Sequence, residues 1–183
     1  MKTLKLHVTG TTPLLMHNPA GGMSQPSTKL GIKPKFDPED DARASCYMDE
    51  GGGFYLPSPA FRSAVLEAAK GRKFGKTFAT TIVKGSVFAA TEQTSLLDPD
   101  TGEVLRNYEV DTRRVMVQRN GVLRSRAKLP RWAGVVEFEY DEEFISPEHI
   151  VELLSIAGRT VGVGDFRPQK SGPFGRFVVA ESK

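Results

Sequence analysis

Two helix starts of the same form divide the chain and leave few folds open to it. Ser58 and Ser146 each stand before a proline, Pro59 and Pro147. The pattern is an N-cap hydroxyl followed by a residue whose fixed φ suits the first helical position. After the first start, Phe61, Ala64, Val65 and Ala68 recur at helical spacing. They predict a helix over 60–70 that Gly71 ends, with Arg62 off the apolar stripe near the N-terminus. After the second, Ile150, Leu153, Leu154 and Ala157 make the stripe, Ile145 can staple onto Ile150, and Gly158 closes the helix. His149, in the first turn of that helix, is most simply structural.

Strand patterns surround these helices. Leu4, Leu6 and Val8 alternate with polar residues, as do Val136, Phe138 and Tyr140 with Glu137 and Glu139. Residues 84–97 are extended in pattern, with a turn at 98–102. Asn120-Gly121 is a hairpin signal joining arms at 111–118 and 122–128. Phe177, Val178 and Val179 give a last strand. Without insertions the order is β, α, β, β, α, β, which predicts an α+β, ferredoxin-like (RRM-like) core with both helices on one face of an antiparallel sheet. A length of 183 residues fits one domain over 1–183. Two insertions interrupt it: a Pro-, Gly- and Lys-rich loop or partly disordered segment at 11–53, and a projecting hairpin region at 98–131. In the first insertion, Lys29, Lys33 and Lys35 can act as a flap over a ligand or simply keep the segment soluble.

The net charge of +3 hides a strong segregation. Residues 113–131 hold seven bases, Arg113, Arg114, Arg119, Arg124, Arg126, Lys128 and Arg131, and no acid; the rest of the chain sums to −4. Lys70, Arg72, Lys73, Lys76 and Lys84 form a second acid-free stretch, and residues 137–152 hold seven acids with no Lys or Arg. One-sign stretches create a field that attracts a polyanion. Six of the seven bases in the first stretch are arginine, whose planar fork favours phosphate and stacking. Trp132 packs at the base of this hairpin.

A second basic element lies before the last strand. Gly158, Gly162, Gly164, Gly172 and Gly175 alternate with Arg159, Arg167, Lys170 and Arg176, and with Phe166 and Phe174. Glycines let a backbone approach a ligand and present N–H groups to phosphate, or they are tight turns. Phe166, between Asp165 and Arg167, is the better of the two phenylalanines for stacking on a base. Bases interleaved with aromatics suit single-stranded nucleic acid, where stacking is sequence-tolerant. Arg62 at a helix N-terminus suits a phosphate contact.

Other chemistries are excluded or weakened. A single cysteine, Cys46, rules out a disulfide framework and a multi-Cys zinc site, and three histidines leave little for a His-based metal centre. No Walker A, G-x-S-x-G or H-E-x-x-H sequence is present. No apolar run approaches the ~18–20 residues that span a bilayer. The expectation is a soluble, cytoplasmic protein with no cofactor, no metal and no membrane partner.

The segment Tyr55-Leu56-Pro57-Ser58-Pro59-Ala60-Phe61-Arg62-Ser63-Ala64, the loop from Gly158 through Arg176, and the opening Leu6-His7-Val8-Thr9-Gly10 together resemble the RAMP superfamily of CRISPR proteins. Within it the chain looks most like the backbone subunits that coat guide RNA in class 1 effector complexes; a stand-alone or virus-encoded relative fits the same motifs. The resemblance implies a palm-like core, a projecting thumb at 98–131, and RNA, or single-stranded DNA, held through its phosphates with little sequence selectivity. It also implies a homo-oligomer along the strand and other CRISPR-type subunits as partners. The implied contacts are Arg62, Arg113, Arg114, Arg119, Arg124, Arg126, Lys128, Arg159, Phe166, Arg167, Lys170 and Arg176, with no catalytic residue. Two alternatives stand beside it: a protein-interaction module that docks into or inhibits such a complex, and an endoribonuclease using His7 or His17. Asp111 is the position nearest to a thumb-base metal ligand.

Overall fold

A computed structural model describes residues 1–21, 36–117 and 120–180. The core sheet has four antiparallel strands in the order β11-β1-β10-β6: β1 (Lys2–Gly10), β6 (Val87–Ala89), β10 (Ala133–Tyr140) and β11 (Phe177–Val179); the short strands β3 (Tyr55–Pro57), β4 (Lys73–Phe74) and β5 (Thr77–Phe78) lie outside it. With α2 (Pro59–Ala68) after β1 and α4 (Pro147–Thr160) after β10, this is the ferredoxin-like arrangement read from the sequence. In the β1–β10 register Leu4 opposes Phe138 and Leu6 opposes Val136. Leu6, Val136 and Phe138 are buried beneath Phe61 and Val65 of α2 and Leu153 and Leu154 of α4. The opposite face is polar: Lys5 pairs with Glu137 at 2.8 Å across the strands, and His7 is exposed there opposite Val135.

Trp132, between the hairpin and β10, is fully buried and donates its indole N–H to the Thr12 carbonyl at 3.0 Å. Its ring meets Phe177 edge-on at 6.1 Å, and Phe177 in turn meets Phe61 at 5.8 Å. A Cβ at Gly10 would lie 2.2 Å from the indole nitrogen, so glycine is the residue that lets β1 pass the ring.

Five local expectations are corrected. Ser58 places no side-chain hydrogen bond on α2. Its buried hydroxyl instead contacts Thr91 at 3.0 Å and Thr94 at 2.8 Å, tying the helix start to β7 (Gln93–Ser95). Ser146 does cap α4, accepting from the His149 N–H. Gly158 does not close α4, which runs on to Thr160. A Cβ there would sit 2.2 Å from the Phe177 carbonyl oxygen, so Gly158 allows helix and strand to touch. Gly162, at φ +72, ends the helix with its N–H on the Ala157 carbonyl.

The expected extended run from residue 84 begins inside a helix, α3 (Ala79–Ser86), whose buried Ala79, Val83 and Ser86 follow helical spacing. The region 11–53 is not simply loop. It carries β2 (Leu14–Leu15), with Leu14, Leu15 and Met16 all buried, and α1 (Pro38–Ala44). Asp37 caps α1, accepting from the N–H groups of Glu39 and Asp40. Lys29, Lys33 and Lys35 lie outside the described residues.

Asn120 and Gly121 belong to a strand, β9 (Asn120–Leu129), and not to the turn; β8 (Glu109–Val117) pairs with it so that Val117 opposes Asn120. That register is held at the hairpin base. Asp41 of α1 accepts the Ser125 N–H at 2.6 Å, and Ser45 accepts the Ala127 N–H at 2.9 Å. Thr112 and Ser125 join hydroxyls at 2.7 Å. A helix thus covers β9 where a bare edge would invite pairing with another chain.

Cys46 follows α1 and is buried, which pushes its thiol pKa from 9.0 up to about 11. Below pH 9 the thiol is protonated in folded and unfolded chains alike. As pH rises from 9 towards 11 only the unfolded chain ionises, so folding loses up to about 2 kcal/mol from this group. Urea unfolding at pH 8 and pH 11 should show the stability difference between wild type and Cys46→Ala narrowing at the higher pH. An unchanged difference would refute the buried-thiol assignment.

Candidate nucleic-acid interface

Strand alternation divides the hairpin into two faces. Ala127 and Ser125 are buried on one. The other carries the cross-strand pairs Glu109–Lys128, Asp111–Arg126 and Arg113–Arg124. The glycine-rich segment after α4 folds back on itself: the Val163 N–H bonds the Gly175 carbonyl, and the Gly172 N–H bonds the Arg167 carbonyl.

The short strand β2 brings these two elements together. On one edge it pairs with β9, Leu14 opposite Leu129 and Leu15 opposite Lys128. On the other, the Leu15 carbonyl accepts the Asp165 N–H at 2.8 Å, and the neighbouring Pro13 carbonyl accepts the Gly175 N–H at 2.8 Å. Across this seam Arg126 forms an ion pair with Asp165, both side chains largely sheltered. The signal for β2 in the sequence was the apolar run Leu14-Leu15-Met16, which the surrounding turn residues obscured.

Hairpin and loop therefore face one cleft of about 470 Å³ lined by Arg113, Arg114, Arg126, Arg167 and Lys170, together with Asp165, Phe166 and Leu15. Two of the cations meet carboxylates. Besides the Arg126–Asp165 pair, Arg113 grips Asp111 with two bonds of 2.5 and 2.9 Å, which raises the pKa of an already basic guanidinium. Arg114, opposite Leu123, falls by the same alternation on the hairpin's other face with its guanidinium over Gly121, so Arg113, Arg126, Arg167 and Lys170 against Asp111 and Asp165 leave an excess of two positive charges in the cleft.

The remaining positions divide into engaged and free side chains. Arg167 is folded inward onto the Gly164 carbonyl and the Gln169 amide oxygen. Lys128 pairs with Glu109 at 2.7 Å. Arg62 lies away from the cleft: it donates to the Val87 carbonyl at 2.6 Å and the Lys84 carbonyl at 3.1 Å, capping the end of α3, and stands over the Phe88 ring. Its role here is to join α2 to α3 and β6. Arg114, Arg124 and Lys170 make no side-chain bond among the described residues, and neither do Arg159 and Arg176, which are exposed outside the cleft lining. Arg124 lines a small hollow against α1 beside Arg126. Arg119 lies outside the described residues.

Phe166 is 38% exposed and Phe174 only 6%. The Arg113 guanidinium lies 4.7 Å from the Phe174 ring centre and 5.9 Å from that of Phe166, a cation–π arrangement that orients arginine and ring together. Phe166 adopts φ +45, unusual for a bulky side chain, and this left-handed backbone is fixed by the loop around it. A Cβ at Gly172 would lie 1.7 Å from the Phe166 carbonyl oxygen, and one at Gly175 would lie 1.8 Å from that of Val163. The glycines thus serve the loop's own packing, and most of its N–H groups are already bonded within the protein. Side-chain cations, not a backbone nest, supply the positive field.

His7 and His17 are far apart in role: the first is on the exposed sheet face, the second lines a hollow beside β2. Among the described residues no cluster of three His, Cys, Asp or Glu could hold a metal ion, and Asp111 is committed to Arg113. No helix of the described residues is long and apolar enough to cross a membrane.

Hairpin and loop are carried on a ferredoxin-like core, the hairpin entering between its second and third strands and the glycine-rich loop before its last. The chain is similar to a solved structure of that architecture, the crystal structure of Cmr6 from Pyrococcus furiosus, with a TM-score of 0.52 and 11% identity over 98% of both chains. No protein-family model and no curated protein matches the sequence.

Proposed function

We propose that this protein binds single-stranded nucleic acid through its phosphates, in the cleft between hairpin and loop. The observation that carries the reading is the convergence of Arg113, Arg126, Arg167 and Lys170 on one side of the molecule, with Phe166 open beside them. Lys170 and the adjoining Arg124 neutralise phosphate directly, and Arg114 adds positive charge on the hairpin's other face. Arg113 presents a guanidinium already oriented by Asp111 and Phe174, while Arg126 and Arg167 shape the wall. Arg159 and Arg176 extend the positive surface along the strand's path, and Lys128 does the same on the hairpin. The likeness to Cmr6 supports RNA over DNA; the fuller reading, carried from the sequence resemblance, is a non-catalytic strand holder, several copies to a strand, in the cytoplasm beside other subunits of a CRISPR complex.

A mobility-shift titration with RNA and DNA homopolymers at two salt concentrations tests this. Neutralising Z phosphates gives a log–log slope near −0.7Z for single strands. The double variant Arg124→Glu, Lys170→Glu removes two cations that support no internal bond, so it should fold normally and bind at least ~30-fold more weakly, with a shallower slope. Unchanged affinity would remove the cleft from consideration.

One observation favours a second reading, a protein-docking module. Phe144 and Phe78 are 64% and 54% exposed, and Phe144 borders a groove lined by Glu142 and Glu143 with no Lys or Arg. Docking of that kind would depend far less on salt and would survive the double reversal.

A further inference from the structure

A second hollow, of about 480 Å³, opens on the other side of the Asp165 and Arg167 backbone, between the outer face of α2 and the loop. Its volume falls within the ~300–1,000 Å³ usual for small-molecule sites. It shares Asp165 and Arg167 with the cationic cleft, so the two are adjoining rooms with one wall in common.

Its chemistry differs from that of the cleft. Every formal charge at its wall is already answered from within the protein. Glu67 pairs with Lys70 at 2.7 Å, Asp165 with Arg126, and Arg167 with Gln169 and the Gly164 carbonyl. A phosphate would gain little there and would meet two carboxylates. The rest of the wall is apolar, with Ala60 over the buried Leu56 and Ala64, and carries three polar side chains, His17, Tyr47 and Ser63. None of those three makes a side-chain hydrogen bond among the described residues, although Tyr47 is half-buried. Apolar walls, aromatic rings and unanswered hydrogen-bonding groups suit an uncharged, flat, polar-edged ligand.

We infer that this recess takes an unstacked nucleobase of the strand whose phosphates lie in the cleft. The inference rests on the cleft reading and adds to it a contact to bases, hence a source of base preference. His17 and Tyr47 bring rings to the base, and Ser63 and the Tyr47 hydroxyl meet its edge. A free nucleotide offers the same base chemistry, so the test separates the two sources.

The experiment compares a twelve-nucleotide oligoadenylate with the same ribose-phosphate chain lacking its bases, and with adenosine monophosphate. Ser63 is exposed on α2, so Ser63→Trp fills the recess without touching the cleft. It should weaken binding of the oligoadenylate about tenfold, in line with one lost base contact, and leave the affinity and salt slope of the base-free chain unchanged. His17→Ala, also at an exposed position, should act in the same direction. Stacking on Phe166 is common to all three proteins and cancels. If Ser63→Trp and His17→Ala bind the oligoadenylate as wild type does, the recess is not a base site. If they lose binding of adenosine monophosphate but not of the strand, the recess serves a free nucleotide and the inference is overturned. If wild type binds neither chain, the cleft reading itself has failed and the inference falls with it.

Discussion

Replacing Trp132 by alanine is expected to cost about 3–5 kcal/mol of stability. The indole is fully buried and its ring bridges Phe177 to the Gly10 backbone, so deletion opens a void that neither strand can close. The Thr12 carbonyl also loses its donor. Against the ~5–15 kcal/mol by which domains are usually stable, that is a third of the total or more. Trp132→Phe keeps most of the apolar volume and should cost about half as much. Because Trp132 is the one tryptophan in the chain, unfolding by urea must be followed by circular dichroism. A cost below about 1 kcal/mol would mean that the hairpin base is held elsewhere.

The second large effect concerns Arg126 and Asp165. Removing one partner of a sheltered pair strands the other's charge. For fully buried pairs that costs ~3–5 kcal/mol; the partial exposure of both side chains brings the expected loss for Arg126→Met to about 2 kcal/mol. Arg126→Met with Asp165→Leu should recover most of it, since neither charge is then left alone. A double-mutant cycle reads the coupling directly, and additive losses would show that the pair does not hold the loop to the hairpin. Binding should move the other way for Asp165→Asn. That change removes a carboxylate from the cleft and frees Arg126, so strand affinity at low salt should rise several-fold and the salt slope should steepen.

The elements legible in the sequence were those whose apolar spacing matches their period. The stripes of α2 and α4, and the alternation in β1 and β10, lie where expected because their buried faces belong to one continuous core. The two helices that went unread have weak local signals. Most of α1 is acidic or alanine, and its place is set by contacts to β9 more than 80 residues away. The middle of α3, Thr80-Thr81-Ile82-Val83, is β-branched and reads as strand, yet Arg62 and the core hold it helical. At the site, positive charge could be counted from residue types, but its distribution could not. Whether an arginine faces solvent, a carboxylate or a carbonyl depends on partners brought in by the fold. Arg62 and Arg126 look alike in the sequence, and the fold gives them different structural bonds. The turn at 120–121 was misplaced for a related reason: register is decided by α1 at the base of the ribbon, and the local preference of Asn-Gly yields to it.

The seam at residues 13–15 is made almost wholly of main-chain amides. Such a rivet is blind to side-chain identity, provided the space beneath it stays filled with hydrocarbon. Hairpin and loop can therefore lengthen, shorten or exchange their charged groups while their relative placement stays unchanged. A groove built this way can persist after the letters that encode it have drifted beyond recognition.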